Sequence, residues 1–167
     1  TGIRISDILT LKWKHITDEK ISIRMRKTEK LLTIPINDYV RSVLDRRRCA
    51  VENNGGKITS EKYVFNILKV DVDEVSAQDA LNAISSATAV INKQLKKIAE
   101  QTNIDKNLST HCARHSYATA LLTNNIPLPV IKEMLGHSDI KVTQIYAKVV
   151  DSKRNEVVEC LNKVYHG

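Results

Sequence analysis

Arg4 in Thr1-Gly2-Ile3-Arg4, the run His111-Cys112-Ala113-Arg114-His115, His137 in Leu135-Gly136-His137, and Tyr146 are the side chains of this sequence best equipped for chemistry. Guanidinium groups hold a phosphate, imidazoles move protons and a phenol can attack phosphorus. The set therefore has the residue types for breaking a phosphodiester without a metal. A phenol ordinarily titrates near 10, so it is a poor nucleophile at neutral pH unless cations stabilise its anion or a base takes its proton. In a helix starting at Thr110, His111 and Arg114 share one face near the N-terminal end, where backbone N–H groups and the dipole favour an anion. Gly136 lets the chain reverse tightly and aims His137 back toward the preceding helix. Read singly, each has a plainer explanation: His111 and Arg114 as surface residues, His137 as a helix cap, Tyr146 as a packed ring. A metal site on His111, His115 and His137 competes, since the first two stand at i and i+4. No carboxylate of the H-E-x-x-H kind lies between them.

The elements that must position these groups are mostly helices. Ile5, Ile8 and Leu9 recur at helical spacing, with Arg4 at or just before the start. Residues 12–16 read as a short strand, 20–27 as a second with Ile21, Ile23 and Met25 alternating, and 31–36 as a third ended by Pro35. Asn37 or Asp38 caps a helix to about Glu52, closed by Asn53-Asn54-Gly55-Gly56. Residues 57–75 have no period and read as a connector with an acidic patch at Asp71, Asp73 and Glu74. Ser76 with Asp79 opens a long helix to about Gln101 whose apolar stripe is Leu81, Ile84, Val90, Ile91, Leu95 and Ile98. Thr110 caps a helix to about residue 124, Pro127 or Pro129 opens the next, and Gly136 ends it. Ser138 or Asp139 caps a short helix carrying Tyr146, and a last helix over about 152–164 presents Val157, Val158, Leu161 and Val164. The fold class is α+β, mainly α, with a small three-stranded antiparallel sheet near the N-terminus.

The chain has 167 residues, 42% of them hydrophobic, enough for one domain with a real core. No apolar run approaches the roughly 20 residues that span a bilayer, so no membrane is expected as a partner and the chain reads as soluble and intracellular. Cys49, Cys112 and Cys160 have neither the pairing nor the spacing of a disulfide or thiolate-metal framework. The net charge of +7 is concentrated at one end: Lys and Arg outnumber Asp and Glu 12 to 6 over residues 1–50 and are nearly balanced beyond. Such asymmetry suits a polyanion across one face, and equally a solvated basic surface. Aromatic content of 4% argues against a base-stacking single-strand binder.

Five blocks in series carry a resemblance: Thr1-Gly2-Ile3-Arg4-Ile5-Ser6-Asp7-Ile8-Leu9, Arg26-Lys27-Thr28, Thr110-His111-Cys112-Ala113-Arg114-His115-Ser116, Leu135-Gly136-His137-Ser138 and Thr143-Gln144-Ile145-Tyr146. Together they resemble the catalytic domain of tyrosine recombinases, the phage-integrase family. The likeness covers nearly the whole chain, 1–167, and implies that the family's N-terminal core-binding domain and first catalytic-domain helix lie outside it. It implies the catalytic set Arg4, Lys27, His111, Arg114, His137 and Tyr146. In that set Arg4, Arg114 and His137 bind phosphate, His111 takes the proton leaving Tyr146, and Lys27 protonates the departing 5′-oxygen. Strand parity puts Lys27 with Ile21, Ile23 and Met25 on the face turned to the domain body, and Lys30 is its nearest rival. Two departures stand out, Glu29 where family hairpins often have Gly and Cys112-Ala113 between the histidine and arginine.

The resemblance further implies cleavage and rejoining of DNA through a 3′-phosphotyrosine, with no cofactor, metal or ATP. Its implied partners are double-stranded recombination sites and, for the full-length protein, three further copies in a homotetramer, with this piece monomeric. Arg24, Arg26 and Lys30 are candidate DNA contacts. Two other readings share these residues, a non-catalytic DNA-binding module derived from a recombinase and strand cleavage of the type IB topoisomerase kind.

Overall fold

The structure, a computed structural model, describes residues 1–146. The expected helix over 152–164 lies outside them. Helix α1 (Ile5–Leu9) is followed by a 3-10 turn (Trp13–His15), strands β1 (Lys20–Arg24) and β2 (Leu31–Pro35), then α2 (Asp38–Asn53), α3 (Ala77–Gln101), α4 (Thr110–Thr123) and α5 (Leu128–Leu135). A further helical stretch occupies 141–146. Among the described residues no helix is long and apolar enough to cross a membrane.

The expected third strand is replaced. Residues 13–15 form the 3-10 turn, and only isolated bridges, Lys12 to Tyr63 and Ile16 to Ile21, flank it. The sheet is thus a two-stranded antiparallel hairpin with Ile21 opposite Ile34 and Ile23 opposite Leu32. Residues 12–16 lack the alternation that would hide one side of a strand: Leu11, Lys12 and Trp13 are all buried, which a tight turn achieves and an extended chain does not.

The described residues divide into two units, Thr1 with Ile3–Cys112 and Gly2 with residues 113–146. In the first unit the inward faces of β1 and β2 join Leu11, Trp13, Leu44 and Val64 in one core, while Leu9, Leu68, Val72, Ala80 and Ile84 form a second. Asn37 caps α2 through the Val40 N–H, and Ser76 caps α3 through the Asp79 N–H, as expected. The buried stripe of α3 differs from expectation: Ala80, Ile84 and Ala99 are buried, whereas Leu81, Val90 and Ile98 are exposed. Ile84 and Ile91 of the expected stripe do pack against Leu68 and Val72 of the 63–75 connector, with Ala80 beside them.

Within the connector, Lys12 replaces regular structure as the organiser. Its ammonium lies 2.9 Å from Asp71 Oδ2 and 2.8 Å from Asp73 Oδ2, and Tyr63 Oη donates to Asp71 Oδ1 at 2.7 Å. Burial works against the Lys12 cation, but the bonds to Asp73 and Asp71 outweigh it and raise its pKa. Burial likewise opposes the Asp71 carboxylate, yet its bonds from Lys12, the Asp73 N–H and Tyr63 hold it at about 2. Tyr63 is pushed up to about 12 by burial and its bond to Asp71.

In the second unit Ala118, Ile131, Leu135 and Tyr146 form the buried cluster, with Tyr117, Leu121, Leu122 and Ile126 against it.

Candidate active site

Arg114 occupies the core-facing stripe of α4, four residues before Ala118, and is only 6% exposed. A buried guanidinium must place its N–H groups on acceptors. Nη1 donates to Gly2 O and Nη2 to Leu135 O, each at 2.6 Å. Leu135 O is a carbonyl at the C-terminal end of α5, where helix carbonyls lack intrahelical partners and the dipole favours a cation. Its neighbours are otherwise committed: Gly136, at φ +63°, turns the chain so that its N–H meets Glu133 O and the His137 N–H meets Lys132 O. Gly2 is equally constrained. At φ +65°, a Cβ there would fall 2.4 Å from the Tyr117 ring, so only glycine brings this carbonyl to Arg114.

The same turn aims His137 inward. Its Nδ1 lies 3.0 Å from Thr143 Oγ1, both residues being buried. Asp139 accepts the Lys141 N–H at 2.9 Å in the turn before the stretch over 141–146, whose first carbonyl acceptor is Ile140 O. Thr143 and Tyr146 stand three apart on that stretch and are buried, while Lys141, Val142, Gln144 and Ile145 are exposed. Tyr146 joins Ala118, Ile131 and Leu135 and meets the His115 ring edge-on, centroids 5.2 Å apart. Burial raises its phenol pKa, and Arg114 pulls it partly back. The second unit therefore holds Arg114, His137 and Tyr146, with the Arg114 cation acting on the phenol and His137 bonded to Thr143 one turn before it.

The first unit holds Arg4, Lys27 and His111. Arg4 is the residue before α1, as expected, and its Nη1 lies 3.3 Å from Met25 Sδ in the hairpin. One helical turn on, buried Asp7 accepts the Arg26 N–H through Oδ1 at 3.0 Å, tying α1 to the residue beside Lys27. The parity argument for Lys27 fails, because β1 ends at Arg24 and Met25 is the last inward residue. Lys27 is exposed in the turn that follows. Glu29 takes φ +56° there, a left-handed conformation that favours glycine. Of the candidate DNA contacts, Arg24 donates to Glu29 O at 2.7 Å, Arg26 Nη1 lies 4.0 Å from Asp73 Oδ1, and Lys30 is exposed. His111 is exposed on the first turn of α4. The α4 start is bonded by Ser109 and not Thr110: the Cys112 N–H donates to Ser109 Oγ, while the Thr110 N–H donates to Asn92 Oδ1.

Sequence reasoning missed Asp7, His115 and Thr143 as parts of this arrangement. Asp7 and Thr143 stand inside blocks that carry the resemblance but receive no role from it, and His115 enters only as a candidate metal ligand through its spacing from His111. Among the described residues no group of three or more His, Cys, Asp or Glu is placed to hold a metal ion.

Comparison with known proteins agrees with the earlier resemblance. The model of the phage integrase family matches residues 1–153. Tyrosine recombinase XerD of Staphylococcus aureus (strain Mu50) is 32% identical over 154 residues, covering 92% of this chain and 48% of that protein. The chain thus spans about half the length of such relatives. Among solved structures, XerH site-specific recombinase bound to palindromic difH substrate in a post-cleavage complex superposes with a TM-score of 0.67 at 23% identity, over 95% of this chain and 42% of that one. The catalytic domain of bacteriophage HP1 integrase gives 0.53 at 26% identity, over 95% and 74%.

Proposed function

The chain belongs to the phage integrase family, and from that premise we propose that it is the catalytic domain of a site-specific DNA recombinase acting in the cytoplasm on duplex recombination sites. Tyr146 attacks the scissile phosphorus, a 3′-phosphotyrosine bond forms, and the bond to the 5′-oxygen breaks. Arg4 and Arg114 offer planar forks to the non-bridging oxygens, binding most tightly as charge grows in the transition state. His137 donates to the same phosphate, His111 accepts the phenolic proton, and Lys27 protonates the leaving 5′-oxygen. The ester energy stays in the protein link, so a second 5′-hydroxyl reseals the strand without ATP. In the full-length protein four copies hold two duplexes and exchange strands through a Holliday junction. Arg24, Arg26 and Lys30 add contacts to the DNA backbone.

The observation that supports this reading best is Arg114, anchored at both ends of its fork and pulling the buried Tyr146 phenol's pKa down against the effect of burial, with His137 bonded to Thr143 on the stretch that carries Tyr146. The test is to incubate the full-length protein with nicked duplex fragments of its host's genomic DNA and to look for a heat-stable, protease-sensitive protein-linked strand. Tyr146→Phe abolishes the adduct and retains DNA binding. A variant indistinguishable from wild type, or no adduct from either, would leave only a binding module.

A further inference from the structure

We propose that Thr143 is a positioning residue that holds His137 as the tautomer with its ring hydrogen on Nε2. The inference rests on the recombinase reading and assigns a role within the same site. Thr143 is fully buried, His137 is 8% exposed, and Oγ1 lies 3.0 Å from Nδ1. A hydroxyl can donate or accept, whereas a phosphate diester oxygen only accepts. A neutral imidazole serves a phosphate only through its single N–H. When Thr143 donates its hydroxyl hydrogen to Nδ1, that N–H is Nε2, and His137 remains a donor without being charged.

The placement of Thr143 gives the contact a second consequence. Its backbone N–H is bonded to Ile140 O at 2.8 Å, and it stands three residues before Tyr146 on the same helical face. One turn of helix therefore sets the orientation of the imidazole and carries the phenol. A shift of that turn moves the phosphate donor and the nucleophile together.

The tautomer is read from two-bond 1H–15N spectra of full-length protein labelled with 15N-histidine, the His137 signals being assigned by their loss in His137→Gln. Spectra are recorded where the ring is neutral, for wild type, Thr143→Ser and Thr143→Val. Cleavage rates come from a nicked duplex recovered through its protein link. Wild type and Thr143→Ser are expected to show hydrogen on Nε2 and similar cleavage. Thr143→Val is expected to lose that preference and to cleave about tenfold or more slowly, the scale seen when groups that orient a histidine are removed. Rescue by serine separates lost hydrogen bonding from lost folding. Hydrogen on Nδ1 in wild type, or Thr143→Val cleaving at the wild-type rate, overturns the proposal alone. Failure of the wild type to form any adduct overturns the recombinase reading, and the spectra still decide the Thr143–His137 pairing.

Discussion

Lys12 in the first unit and Arg114 in the second are both long cationic side chains withdrawn from solvent, 4% and 6% exposed. Lys12 ends on two carboxylates, Asp71 and Asp73, which match its charge. Arg114 places Nη1 and Nη2 on the carbonyls of Gly2 and Leu135, dipoles that orient the guanidinium. The pairing at Lys12 pins a connector that has no secondary structure to hold it. The carbonyl cradle at Arg114 fixes a fork whose field still reaches the Tyr146 phenol. Carboxylates make the Lys12 contact a structural staple, and carbonyl dipoles at Arg114 fix the direction of a fork that acts on the phenol. The acceptor separates the two uses.

The sharpest way to break this contrast is at Lys12. Lys12→Met strands Asp71 beside Asp73 and is expected to cost about 3 kcal/mol, read from urea unfolding. The same pair gives an acid signature. Asp71 is held at about 2 against an ordinary carboxylate value near 4, so its stabilisation is present above pH ~4 and lost as the pH falls toward 2. Unfolding curves across that window should steepen with acid in wild type and flatten in Lys12→Met. At Arg114 the expectation is reversed, with function suffering more than folding. Arg114→Lys cannot reach two carbonyls with a planar fork and should slow strand cleavage about a hundredfold, with far less change in the unfolding midpoint. Comparable loss of stability in both variants would erase the distinction. The smallest effect belongs to the hairpin. Glu29→Gly relieves a left-handed backbone and should raise stability by less than about 1 kcal/mol, seen as a small rise in the urea midpoint, with cleavage unaltered.

Helix limits were legible because their signals are local. Asn37, Ser76 and Gly136 act on backbone groups within a few residues, and each does what its sequence position announces. Position 12 was not legible in that way. A lysine between Leu11 and Trp13 reads as an exposed strand residue until Asp71 and Asp73, some sixty positions on, are known to surround it. The same holds for α3, where Leu81 looked like a core residue and is exposed, while Ala80 joins Ile84 in the buried face.

What the sequence determined by itself was the inventory and its order: the arginines, histidines, lysine and tyrosine, the helices bearing most of them, and the family they announce. The tertiary structure decided their surroundings. Arg114 draws its acceptors from Gly2, 112 residues away, and from Leu135, while Tyr146 is enclosed by α4 and α5. Helix caps and turns are closed by neighbours along the chain, so residue spacing encodes them. A buried charge or phenol is governed by dipoles and apolar walls from distant segments, which exist as an environment only after folding has brought them together.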